Sequence, residues 1–318
     1  MTAPTTPRLT FTARTPGDVL ALVPVVLGFT PRDSVAMLTF GAGHPFHARV
    51  DLPDDASELP ELVQVLLEPA RLHRVRRVFF VVYTDDAELA GRAAAELAHA
   101  FDGAGITVIE VLRADGERWW PAEGTRPGVP PSGVAYDLSS HPFSAQAVLD
   151  GRVLHASREE LRATLVPDPA RVGRVVAGLA GATGDPTDVG PAADVVGEVV
   201  SRHCRDGTTP TDAEVARLLR GLLDADVRDA ACTGLSRATA RSHVAFWTDV
   251  LRRSPEPLVP GPAAMLALAA WQSGDGALAW CALDRCAEVD EDHPLAGLVV
   301  QVLERALPPD AWDGGGRW

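Results

Sequence analysis

The stretch RVFFVVYTDD, residues Arg77 to Asp86, decides how the rest of the chain is arranged. Val78 to Tyr83 is an unbroken apolar run, the pattern of a central strand covered on both faces. Such a strand needs helices above and below it, and its neighbours supply them. Upstream, Leu59, Leu62, Val63, Leu66 and Leu67 make one core-facing helical stripe, with Ser57 as the expected cap. Downstream, Leu89, Ala93, Leu97 and Phe101 mark a second helix that Gly103 and Gly105 end. TVIEVLRADGERWW then reads as two strands around an Asp115-Gly116 hairpin turn.

Further out, Leu9 to Ala13 is a candidate strand, and Thr15-Pro16-Gly17-Asp18 starts a helix with Thr15 as its cap. Pro24 is expected to kink or break that helix. Ser34 to Phe40 and His47 to Leu52 form two strands around Gly41-Ala42-Gly43. The reading is an α/β N-terminal domain over residues 1–120, with a mixed β-sheet flanked by helices.

Residues 121–140, PAEGTRPGVPPSGVAYDLSS, read as a Pro/Gly-rich connecting loop. An all-α C-terminal domain is expected over 141–318. Helix starts are signalled at Ser157 to Glu160 and Thr209 to Asp212, and Ala240, Val244, Trp247 and Leu251 form a further stripe. The last helical pair, within 263–306, resembles a single tetratricopeptide repeat. Gly274-Asp275 sits at its tight turn, and Trp271, Ala279, Cys286 and Asp290 occupy the positions the repeat expects. One copy reads as a packing solution, since a solenoid groove needs about three.

The chain contains no lysine, and its formal net charge is −14. The first fact excludes Schiff-base and phosphate-loop lysine chemistry. The second excludes general nucleic-acid binding, which needs a basic face. The one dense basic run, RLHRVRR from Arg71 to Arg77, reads as the last turn of a helix. Cys204, Cys232, Cys281 and Cys286 lack metal or disulfide spacing and read as buried thiols. MTAPTTPRLT has no charged-then-apolar leader, and no apolar run approaches the ~20 residues of a membrane span. A soluble, cytoplasmic protein is expected.

Candidate site residues are polar or aromatic groups at strand ends: Arg32, Asp33, Ser34, Asp51, Asp85, Trp119 and Trp120. Ligands gather at the carboxyl ends of strands in open α/β sheets, which singles out Asp85. Its competing role is helix cap. Arg32-Asp33-Ser34 is either a turn or, if it shares a sheet edge with Asp85, part of a site. One tryptophan of the adjacent pair should be core and the other half exposed. His44, His47 and Asp51 are metal-ligand types, but residues three apart on a strand face opposite sides, and no metal is expected. No serine-nucleophile elbow, dinucleotide fingerprint or other cofactor motif occurs, so no cofactor is expected either.

The ordered motifs TPGDVLALVPVVLGFTPRDSVAMLTF, HARVDLP, RRVFFVVYTDD, RADGERWW and HPFSAQAVLDGRVLHASREEL resemble an uncharacterised actinobacterial family, domain of unknown function 4192. The resemblance covers essentially the whole chain. It implies a GC-rich genome, in keeping with the absent lysines, and it implies no activity. Members often carry cysteines after the tryptophan-bearing strand, whereas this chain has none between Trp120 and His141. Three functions stand as expectations: the first is a binding or regulatory protein engaging a protein or small molecule, the second a hydrolase- or transferase-type enzyme with an acidic site at the carboxyl strand ends. A metal- or nucleotide-responsive sensor, with His44 and His47 converging, is the third.

Overall fold

The computed structural model describes residues 12–44, 46–181 and 189–312. Leu9 to Phe11, most of the expected first strand, lie outside the described residues. So does Pro45 between the two histidines.

Helix α1 (Pro16–Leu27) opens with a capping box. The Thr15 hydroxyl accepts from the Asp18 amide, and the Asp18 carboxylate accepts from the Thr15 amide. It closes at Gly28, whose φ of 80° is the left-handed conformation that glycine adopts without penalty. Pro24 does not break it. That residue is buried between Val23 and Val25, and packing of this face outweighs the missing amide bond.

Strands β1 (Ser34–Phe40) and β2 (His47–Asp51) form the predicted hairpin, followed by α2 (Leu59–Leu72). Asp55, not Ser57, caps the entry to α2: its carboxylate accepts from the Ser57 amide and starts a short 3-10 turn. Strand β3 (Arg77–Tyr83) is buried except at Arg77. The basic run therefore spans more than a helix end. Arg71 lies in the last turn of α2, and Arg77 opens β3. Helix α3 (Ala87–Gly103) and strands β4 (Thr107–Ala114) and β5 (Arg118–Pro121) follow as expected.

The six strands of the sheet lie in the order β2-β1-β3-β4-β5-β6, where β6 is Val134–Ala135. Only β3 and β4 run parallel; every other pair is antiparallel, so the sheet is mixed. One face packs Val78, Phe80 and Val82 against Leu62, Leu66, Leu97 and Phe101 of α2 and α3. The other packs Ala36, Leu38, Phe79 and Val81 against Leu20 and Val23 of α1. Two apolar layers around one strand are what the Val78–Tyr83 run requires.

Residues 121–140 are not a simple connector. Val134 and Ala135 pair with β5, and Arg118 donates to the Ser132 and Gly133 carbonyls. Helix α4 (Pro142–Leu149) then packs on α1. The first compact unit consequently runs from Met1 to Arg158 rather than ending near 120.

The second unit, which begins at Glu159, is helical among its described residues. Following α5 (Arg158–Ala163), it contains α6 (Pro169–Gly181), α7 (Val189–Asp206), α8 (Asp212–Gly221), α9 (Ala225–Ala231), α10 (Ala240–Arg252), α11 (Pro260–Ser273), α12 (Gly276–Ala287) and α13 (Pro294–Glu304). The expected turn between α11 and α12 is present: Gly274 has φ 82°, and Asp275 caps α12 through the Leu278 amide. Arg253 is buried here, yet its charge is met by Asp249, Asp212 and the Pro210 carbonyl. Burying a guanidinium is tolerable only with such partners.

Candidate functional site

All seven sequence-derived candidates lie at one end of the sheet. Ser34 is in register with Asp51 on one side and Tyr83 on the other. Tyr83 is opposite Ala114, and Ala114 is opposite Trp119. A line of register partners thus crosses five strands at the carboxyl end of β3 and β4. Arg32, Asp33, Asp85 and Trp120 lie within two residues of it. The turn at Arg32-Ser34 and Asp85 therefore share a sheet edge.

Side-chain contacts at this end are mostly mutual. Arg49 pairs with Asp51 and donates to the Arg32 carbonyl at 3.2 Å. Asp33, exposed, holds a left-handed φ of 42°, and its carbonyl accepts from the Leu52 amide at 2.9 Å. Asp86, not Asp85, caps α3, accepting from the Glu88 and Leu89 amides. The Leu89 amide, with those of other first-turn groups, holds the Asp86 carboxyl below its usual range. Asp85 is left exposed, with its carbonyl taken by Arg113 at 3.1 Å.

The tryptophan pair divides as alternation requires. Trp119 is buried in the layer under α1. Trp120 lies under the Arg113 guanidinium, 3.8 Å from its ring centre, and donates to the Pro131 carbonyl. A Cβ on Gly133 would come within 2.4 Å of the Trp120 ring, so that ring fixes the loop's path. The loop is anchored by Trp120.

One polar group of this end lacks a structural partner. The Ser34 hydroxyl is fully buried and forms no hydrogen bond. The phenol of Tyr83 beside it is pushed well above its ordinary range by burial and then by Tyr136, so it offers no base. Histidine does not come to the aid of either. His141 faces Asp18 through Nε2 at 3.2 Å, but its Nδ1 accepts the Phe143 amide at 3.2 Å. With both nitrogens engaged, this pair ties α1 to α4 and leaves no open position for proton transfer. His47 accepts the Thr39 amide and is pushed down to about 4 by burial. Among the described residues, no group of three or more His, Cys, Asp or Glu side chains is placed to hold a metal ion. Burial pushes the Cys204, Cys232 and Cys286 thiols up to about 12, far from the reactive thiolate form.

Two open concavities lie away from this line, one of them towards the opposite, amino end of β3 and β4. One cleft of about 390 Å³ is bounded by Arg14 and Thr15 before α1, Phe40 at the end of β1, Arg77 and Phe79 of β3, Ile109 and Glu110 of β4, and Arg126. A second, of about 410 Å³, adjoins it and shares Glu110 and Arg126, which form an ion pair. None of the seven candidates lines either cleft. Sequence reasoning missed these residues because they are far apart in the chain. The one available signal was the exposed Arg77 that opens an otherwise apolar strand.

A mixed-sheet α/β unit followed by a helical unit is the class of protein these elements define. The family model described as Domain of unknown function (DUF4192) matches residues 16–310, and the chain belongs to that family. Neither a curated protein nor a solved structure matches it. Among the described residues, no helix is long and apolar enough to cross a membrane.

Proposed function

We propose that this chain is a binding or regulatory protein whose α/β unit holds a small-molecule ligand in the cleft between α1 and the amino end of the sheet. The observation that carries this reading is the cleft itself: about 390 Å³, floored by apolar side chains and edged by arginines. That volume falls in the range of small-molecule sites. The reading fits a cytoplasmic setting, where cysteines persist as thiols. It also fits a GC-rich actinobacterial source. A net charge of −14 argues against general nucleic-acid partners. The tetratricopeptide-like pair α11–α12 is read as packing within its own unit.

The test is a thermal-shift screen of anionic, neutral and cationic metabolites, nucleotides and metal ions on the full chain and on Ile109→Trp. Ile109 is half exposed on the cleft wall, so an indole there fills the space without disturbing the core. A ligand at 100 times its Kd should stabilise the wild type by about 2.7 kcal/mol and lose that effect in the variant. No stabilisation by any class would overturn the reading and favour a protein partner.

A second reading is an enzyme of hydrolase or transferase type at the carboxyl end. The unpartnered Ser34 hydroxyl next to the left-handed Asp33 favours it, since such strain collects at functional sites. No base within the described contacts serves that hydroxyl, so the binding reading stands first.

A further inference from the structure

Arg14 and Arg77 are exposed, line the same cleft, and have no carboxylate partner among the described residues. Arg49, Arg171, Arg174, Arg202 and Arg253 each meet a carboxylate. The third arginine of the cleft, Arg126, is neutralised by Glu110 in the wall shared with the adjoining cleft. The concavity therefore carries two uncompensated guanidinium groups.

Its floor is of the opposite character. Phe79 is nearly buried, Phe40 is partly buried, and Ile109 presents nearly half its surface. Apolar area beside fixed positive charge selects a ligand with the same two parts. The start of α1 does not explain the charge preference. Asp18 already takes the Arg14 and Thr15 amides, and the Arg14 amide chiefly holds that carboxyl below its usual range.

We infer that the cleft binds a small amphipathic anion, a carboxylate or phosphate head on a compact apolar body, with Arg14 and Arg77 holding the head and Phe40, Phe79 and Ile109 the body. The inference rests on reading the cleft as the ligand site and adds its chemistry. A free inorganic anion would leave the apolar floor uncovered, and a neutral apolar molecule would leave both guanidinium groups without a partner.

The test is calorimetric titration of the full chain at low salt with phenyl phosphate, octanoate, inorganic phosphate and benzyl alcohol. Phenyl phosphate or octanoate should bind one per chain, at least about ten-fold tighter than inorganic phosphate and benzyl alcohol. Arg14→Gln and Arg77→Gln should each weaken that binding about ten-fold, with unchanged melting of the free protein because both residues are exposed. Binding of benzyl alcohol as tight as phenyl phosphate, unaffected by Arg77→Gln yet lost in Ile109→Trp, would overturn the anion inference and leave the cleft reading intact. Inorganic phosphate binding as tightly as phenyl phosphate would overturn the apolar part. Failure of all four probes would overturn the inference whole, while the wider screen decides the cleft separately.

Discussion

The two ends of the sheet carry the same kinds of residue and use them differently. At the carboxyl end, Arg49 serves Asp51 and the Arg32 carbonyl, and Arg113 serves the Thr84 and Asp85 carbonyls while lying on Trp120. At the amino end, Arg14 and Arg77 face an open concavity. Strand direction accounts for part of the contrast. A carboxyl-end crevice forms where neighbouring parallel crossovers diverge to opposite faces. Here only β3 and β4 are parallel, and the antiparallel β1 lies directly beside β3, so no such point of divergence exists. A position rule borrowed from fully parallel sheets therefore loses its force in this one.

The comparison can be broken most severely at the tryptophan-anchored loop. Gly133→Val should cost roughly 3 kcal/mol, because Gly133 has φ 74° and its new Cβ would overlap the Trp120 ring. Urea unfolding followed by tryptophan emission measures this. An unchanged midpoint would show that the loop is free to move and the carboxyl end less settled than described.

Acidification tests the amino end. His47 is held neutral in the folded chain, at about 4, against its ordinary 6.5. The unfolded chain thus binds the extra proton first as pH falls. Stability should be complete above pH 6.5 and decline progressively towards pH 4, by on the order of 2–3 kcal/mol from this group. Part of that decline should vanish in His47→Gln. An equal slope in both proteins would assign it elsewhere, for instance to His243 of the helical unit, which burial also pushes down to about 4.

Ser34→Ala sharpens the choice between ends. Removing a buried, unpaired hydroxyl should leave stability unchanged or raise it by about 1 kcal/mol. A clear loss in chemical denaturation would mean that the hydroxyl has a partner in solution, and would revive the enzyme reading. The smallest effect belongs to Asp33→Gly. Glycine accepts the left-handed φ, so stability should shift by no more than about 0.5 kcal/mol, with ligand binding at the cleft unaltered in titration. Weakened binding would tie the two ends together.

Much of the first unit was legible because its signals are local. Val78 to Tyr83 announced a doubly covered strand, Asp115-Gly116 the β4–β5 hairpin, and Thr15 the start of α1. Errors arose where neighbours in space overruled neighbours in sequence. Pro24 stayed helical through burial, Asp55 and Asp86 took the caps expected of Ser57 and Asp85, and the Pro/Gly segment gained a strand by pairing with β5. Strand ends could be read from periodicity, but that the Arg32-Ser34 turn and Asp85 share a sheet edge was an open question until the register was known.

By itself, then, the sequence determined the α/β-then-helical order, the family, and the chemistries that a lysine-free, acidic chain lacks, because composition and periodicity are properties of the chain alone. The tertiary structure alone decided which charges are compensated. Arg14, Arg77 and Arg126 meet at one cleft only after β3 and β4 are laid beside each other under α1, and no spacing along the chain encodes that meeting.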